Sequence, residues 1–255
     1  MPLKEIPCVE MKNISKRFEN VQALKNVDFI VGQNEIVGLV GDNGAGKSTL
    51  IKILTGIYKP DEGEIIYEGK KREFSSPANS RNLGIEPVHQ LGTTIEEMSI
   101  WENFFLGREI CKKVGIFRVL DKKKMKEIAE QTLAKIGINM KSTEKRMGNL
   151  SGGERQSVAI GRAMYFGGRL LVFDEPTAAL SLRETEKVLR YINGAKEQGR
   201  SVILISHLTR HVYPVADRFV ILERGEKVGD HKKENISRKK LEEIIVRGRL
   251  ETSKI

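Results

Sequence analysis

Between the apolar run EIVGLV and the helix-like run KSTLIKILTG stands GDNGAGKS, residues 41–48. A glycine, four residues and then Gly-Lys-Ser, set after a strand and before a helix, predicts a loop that wraps a phosphate chain. Glycines at 41, 44 and 46 let the backbone curl until successive N–H groups face one anion, with the helix N-terminus beneath it. The candidate binding residues are Gly41, Asp42, Asn43, Gly44, Ala45, Gly46, Lys47, Ser48 and Thr49. Lys47 would reach the β- and γ-phosphates, and the Ser48 hydroxyl would ligate Mg²⁺. The expected ligand is a nucleoside triphosphate. Elsewhere the short apolar runs RLLVF, SVILIS and RFVIL are separated by helix-like segments. That pattern predicts an α/β fold built on a buried, mainly parallel sheet.

The run RLLVFDEP ends a strand on Asp174 and Glu175. Beside a phosphate loop, Asp174 suits the metal, and Glu175 can aim at the γ-phosphate as a general base for water. His207 follows VILIS, at the end of a strand where ligands of open parallel sheets gather. It is a candidate for contact with the γ-phosphate and attacking water. Gln90, after LGIEPVH, has a similar placement, although a glutamine in a solvated loop is common. Phe18 in SKRF could stack on a base or pack in the core.

The stretch LSGGERQ, residues 150–156, poses a separate question. Ser151 and Glu154 form a capping-box pattern that starts a helix, but a cap does not require Gly152 and Gly153. Adjacent glycines in a first helical turn suggest that something approaches the backbone closely. A capped helix and a phosphate site both fit.

The remaining pattern divides the chain. Residues 8–40 hold the strand-like runs VEMKNIS, VDFIV and EIVGLV, and KPDEGEIIYEGK reads as a turn with a hairpin-like strand. From about Arg81 to Gly167 the character is largely helical, with a second capping box at Ser99 and Glu102. Met125, Ile128, Ala129, Leu133 and Ile136 form an apolar stripe there. The formal charge of +10, from 44 basic and 34 acidic side chains, suits an anionic partner without choosing nucleotide, nucleic acid or lipid. The basic runs Lys122-Lys123-Lys124, Lys232-Lys233 and Arg238-Lys239-Lys240 are scattered and lack interleaved aromatics, so solvated surfaces are expected and nucleic acid is not. Cys8 and Cys111 have no metal or redox spacing, which fits a reducing cytosol. No signal peptide or membrane span is read, so any membrane role is expected to be peripheral.

Together GDNGAGKST, LSGGERQ, LLVFDEP and VILISH, in this order, resemble the nucleotide-binding subunit of an ATP-binding cassette (ABC) transporter over nearly the whole chain. The resemblance implies a P-loop NTPase core with a mainly parallel sheet, an antiparallel β subdomain and a helical insertion. Residues 1–255 would form one ABC ATPase domain, with 1–89 and 168–255 as the α/β core and β subdomain and 90–167 as the helical subdomain. It further implies ATP and Mg²⁺ as cofactors. Phe18 would stack on adenine, Gln90 would contact Mg²⁺ and sense the γ-phosphate, Glu175 would be the catalytic base and His207 the switch histidine. Ser151, Gly152 and Gly153 would bind ATP held by the P-loop of a second ATPase subunit, expected to be another copy of this chain in a homodimer, so that two chains sandwich two nucleotides.

LGIEPVHQ, ENFFLGRE, PTAALS and VRGRLE look like ATPases of sugar importers of the ribose, xylose and fructose kind, many of which carry two cassettes where this chain has one. Such a subunit would lie on the cytoplasmic face of the membrane. Its partners would be transmembrane permease subunits, docked near SIWENFFLGRE, and indirectly a substrate-binding protein. The family commonly shows Ser-Ala-Leu-Asp where this chain has Ala178-Ala179-Leu180-Ser181, which puts communication between the two sites in question, although Ser181 with Glu184 still forms a helix-capping pattern. The expected function is ATP hydrolysis that powers uptake, of a carbohydrate first and of another solute second. A nucleic-acid-remodelling ATPase would carry a long coiled coil or a second cassette, and neither is read here. A regulator that never hydrolyses ATP is disfavoured by Glu175 and His207.

Overall fold

The computed structural model describes residues 6–88, 94–135, 142–178 and 180–252. The chain opens with β1 (Val9–Phe18), β2 (Val21–Val31), β3 (Ile36–Val40) and α1 (Lys47–Leu54). Next come β4 (Glu62–Tyr67), β5 (Lys70–Arg72), α2 (Pro77–Asn82) and β6 (Ile85–Val88). Then α3 (Ile100–Phe105) leads into β7 (Cys111–Val114), β8 (Phe117–Leu120), α4 (Lys122–Lys135) and α5 (Gly152–Phe166). The last part alternates as β9 (Leu170–Asp174), α6 (Leu182–Glu197), β10 (Ser201–Ile205) and α7 (Thr209–Val212). It ends with β11 (Arg218–Glu223), β12 (Glu226–Lys232) and α8 (Arg238–Thr252).

A six-stranded sheet runs β12-β11-β3-β10-β9-β6, parallel from β11 to β6, with β12 added antiparallel at one edge. The middles of its inner strands are apolar because both faces are covered, and the polar residues Asp174, Ser201, Arg218 and Glu223 stand at strand ends. Val37, Leu39, Val172, Ile203 and Val220 face a core shared with α1 and a second, antiparallel sheet. Ile36, Val40, Phe173, Leu204 and Phe219 face the other way, against α5, α6, α7 and α8. The second sheet, β2-β1-β4-β5, takes up the early strand-like runs.

The helices start where the capping boxes place them, at Ser99, Ser151 and Ser181, each with both reciprocal hydrogen bonds made. Met125, Ala129 and Leu133 are buried with Trp101, Phe104, Phe105 and Val158, which gives α3, α4 and α5 an apolar cluster of their own. The stripe's last residue, Ile136, lies outside the described residues. The hairpin β7–β8 was not legible in the sequence, which reads as helical around it.

Arg218 on β11 ties the two sheets together. Its guanidinium donates to Glu35 at 2.8 and 3.1 Å, to Asp230 at 2.8 Å and to the Ile30 carbonyl of β2 at 2.6 Å. Burial opposes its charge, but the hydrogen bonds it donates to Glu35 and Asp230 outweigh that and raise its pKa. Arg218→Ala takes the cation from Glu35 and leaves Asp230 with Lys227 alone, at 3.6 Å. It should cost about 2 to 3 kcal/mol in urea unfolding, whereas a loss of a few tenths would show that the network does not hold the sheets.

Candidate nucleotide site

The phosphate loop is shaped by backbone that touches it from two sides. A Cβ on Gly41 (φ 148°) would overlap the Leu222 carbonyl of β11, and one on Gly46 (φ 99°) would stand 2.7 Å from the Ala23 carbonyl of β2. Both positions therefore need glycine for conformation and for space. Hydrogen bonds fix the same neighbours, since Gly225 N–H donates to the Ala45 carbonyl at 3.1 Å and Lys25 N–H to the Gly225 carbonyl at 2.8 Å. Gly46 is the N-cap of α1 and supplies no side-chain cap. The first N–H groups of the helix are thus left to a ligand.

The loop borders a cleft of about 480 Å³, lined among others by Ala23, Gly44, Lys47, Ser48, Thr49, Asp174, Glu175 and Arg224. Ser48 is exposed and Lys47 is buried. The Lys47 ammonium donates to the Gly41 carbonyl at 2.9 Å and the Asp42 carbonyl at 2.8 Å. Burial lowers its pKa, against the pull of the Glu175, Asp42 and Asp174 carboxylates. Phosphate oxygens would satisfy this buried cation better than neutral carbonyls do.

Parallel register brings the carboxylates here. Ile205 of β10 pairs with Asp174 on one side and Leu39 on the other, so the ends of β9 and β10 lie level with the start of the phosphate loop. The chain then turns sharply, and Glu175 sits at φ 47°, a conformation uncommon for a residue with a side chain. Its carboxylate accepts from Ser206 Oγ at 2.9 Å, His207 N–H at 2.9 Å and His207 Nδ1 at 2.8 Å. A carboxylate only accepts, so Nδ1 carries the hydrogen and Nε2 is left for another partner.

Ser206 was missed in the sequence, although it adjoins the histidine. Arg224 and the β2 residues Val21, Gln22 and Ala23 were missed too, because nothing local links them to residues 41–49.

Phe18 is partly exposed at the end of β1, paired with Val21, and packs edge-on against Tyr58 at 5.0 Å. It stands beside the cleft and is not among the residues lining it. Gln90 and Ala179 lie outside the described residues. Among the described residues no group of three or more His, Cys, Asp or Glu side chains forms a metal cage. A magnesium ion fits Ser48 and Asp174 on donor chemistry, with phosphate oxygens completing its shell.

Ser151 and its glycines stand at the start of α5, with Ser151 exposed and its hydroxyl accepting from Glu154 N–H at 3.2 Å. Within this chain the group that comes close to Gly153 is Glu184 of α6, whose carboxylate a Cβ on Gly153 would overlap. Glu184 also accepts from Ser181 N–H at 2.9 Å and Ser181 Oγ at 2.7 Å. The Ser181 hydroxyl and backbone, with a smaller share from Gly153 N–H, lower its pKa. Glu184 thereby bridges the starts of two helices.

A strand, a phosphate-wrapping loop and a helix, with carboxylates on a nearby parallel strand end, define a P-loop nucleoside-triphosphate-binding protein. Residues 24–178 match the family model described as ABC transporter. The chain belongs to the ABC transporter family; it binds ATP and is an ATPase.

It is 42% identical over 237 residues to the xylose/arabinose import ATP-binding protein XylG of Sulfolobus acidocaldarius, covering 93% of each chain. It is likewise 42% identical to the fructose import ATP-binding protein FrcA of Rhizobium meliloti over 87% of each chain. It spans 47% of the length of the ribose import ATP-binding protein RbsA of Bacillus cereus, at 39% identity. Among solved structures, the ATP-binding cassette MJ1267 superposes with a TM-score of 0.84 at 26% identity, over 95% of this chain and 98% of that one. A dimeric cassette, MJ0796, in a post-hydrolysis state bound to ADP and Pi, gives 0.76 at 26% identity over 89% of this chain and 100% of that one.

The Gly153–Glu184 contact is open to a direct test. Gly153→Ala should push the carboxylate off its caps and cost about 1 kcal/mol in urea unfolding. In a Glu184→Ala background the same substitution should cost little. Equal costs in both backgrounds would show that the close approach carries no energy.

Proposed function

We propose that this chain is the ATP-hydrolysing subunit of a carbohydrate importer, working on the cytoplasmic side of a membrane as a dimer that closes around two ATP molecules. The observation that carries the hydrolytic part is the position of Glu175, at the end of β9, lining the cleft with Lys47 and Ser48. Carbohydrate import is supported by the relatives named above, and dimer formation by the dimeric neighbour. Transmembrane permease subunits and a substrate-binding protein complete the proposed assembly. No helix among the described residues is long and apolar enough to cross a membrane, so a membrane-spanning pathway would come from partners. The separate cluster of α3, α4 and α5 supports treating 90–167 as the helical part of one ATPase domain.

In this reading Gly41 to Thr49 wrap the phosphates, and Phe18, beside the cleft, stacks on the base. Lys47 exchanges its carbonyl partners for the β- and γ-phosphates. Magnesium, held by Ser48, Asp174 and Gln90, would neutralise charge on the phosphates. Glu175 takes a proton from the attacking water, and His207 keeps that carboxylate oriented through Nδ1 while Nε2 is left for the γ-phosphate and the attacking water. Ser151, Gly152 and Gly153 contact the ATP of the partner subunit. Because Glu184 ties Gly153 to Ser181, the signature helix and the loop after Glu175 would move together when the dimer closes.

Glu175→Gln keeps the side chain's size and removes its proton-accepting charge. Hydrolysis should fall by about 10² to 10⁴, while ATP still binds and holds the variant as a dimer in gel filtration with ATP and Mg²⁺. Reconstituted with its permease, the variant should not drive sugar uptake. Hydrolysis at the parent rate would remove Glu175 from the role of base, and an inactive variant that never dimerises would contradict the two-chain sandwich.

A further inference from the structure

The hairpin β7–β8 has no core of its own. Every residue of both strands is exposed, and its tip is apolar, with Val114 54%, Ile116 92% and Phe117 67% exposed. A tight turn at Gly115 (φ 60°) and Ile116 joins the strands. An isolated two-stranded hairpin is marginally stable in water, so this one is a poor structure unless something covers it.

The pairing sorts its side chains by face. Val114 stands opposite Phe117 and Lys112 opposite Val119 on one face, while Lys113 stands opposite Arg118 on the other. Like charges directly across a strand pair repel. Among the described residues no carboxylate lies within 4.0 Å of the Lys112, Lys113 or Arg118 charge. The next segment adds further positive charge. Lys122, Lys123 and Lys124 are exposed on the first turn of α4, where Asp121 accepts from Lys124 N–H at 3.3 Å and Glu127 stands 4.0 Å from Lys123. These lysines extend the basic surface beside the hairpin, and an external anionic surface would relieve the repulsion between Lys113 and Arg118.

We infer that the β7–β8 hairpin is a membrane-contact element, its Val114–Phe117 tip entering the headgroup region of an anionic lipid surface and its flanking lysines and Arg118 meeting the lipid charges. An acidic protein segment would answer the cations but would leave the protruding Ile116 and Phe117 in water. The boundary between headgroups and acyl chains accommodates both. This element is separate from the nucleotide cleft and does not depend on the function proposed for it.

The test is co-sedimentation of the whole chain with phosphatidylcholine vesicles, with and without phosphatidylglycerol. The parent should partition onto the phosphatidylglycerol vesicles, more weakly at high salt, and little onto phosphatidylcholine alone. Ile116→Ser with Phe117→Ser, and separately Lys113→Gln with Arg118→Gln, should each lower partitioning by roughly tenfold with ATP hydrolysis in solution unchanged. No partitioning, equal partitioning onto both vesicles, or variants that partition like the parent would overturn the assignment. Binding of the hairpin to an acidic protein segment in place of lipid would overturn it as well.

Discussion

The phosphate loop keeps its shape because two backbone segments touch it with no side chain between. The Leu222 carbonyl closes on Gly41, and the Ala23 carbonyl closes on Gly46. Those segments belong to different sheets, β11 to the parallel one and β2 to the antiparallel one. The loop is therefore as rigid as the junction of the sheets, and Arg218 spans that junction from β11 to the Ile30 carbonyl of β2. A loop held this way presents its N–H groups to a phosphate without reorganising, which is the condition under which fixed dipoles stabilise charge most.

A second coupling runs on the other face of the sheet. Glu175, at a positive φ, is held by Ser206 and His207 from the end of β10, and a few residues later Ser181 and Glu184 cap α6. Glu184 reaches from there to Gly153 at the start of α5. Ser181, where the family commonly shows an aspartate, makes both hydrogen bonds of a capping box with Glu184, so the start of α6 forms without an aspartate at that position.

Much of this was legible because it is local. The glycine spacing of residues 41–48, the capping boxes at Ser99, Ser151 and Ser181, and the apolar strand ends before Asp174 and His207 are short-range patterns, and each lies where its pattern implies. The glycine pair of LSGGERQ suggests a capped helix or a phosphate site, whereas within the chain Gly153 meets Glu184, whose position depends on two helices meeting in space. The division of early strands between two sheets, the β2 wall of the cleft and Ser206 as a partner of Glu175 depend likewise on long-range pairing. The hairpin β7–β8 was missed for a different reason. Its residues are exposed on both faces, so it lacks the period-two alternation that burial imposes on a strand.

In the proposed function the buried Lys47 ammonium trades two backbone carbonyls for the terminal phosphates of ATP. Calorimetric titration of the parent chain and Lys47→Ala with ATP and with AMP tests it most directly. Loss of a charge-assisted contact should weaken ATP binding by roughly 10- to 100-fold, while AMP, which lacks the β- and γ-phosphates, should bind both chains with the same low affinity. Equal ATP affinities for the two chains would contradict the claim.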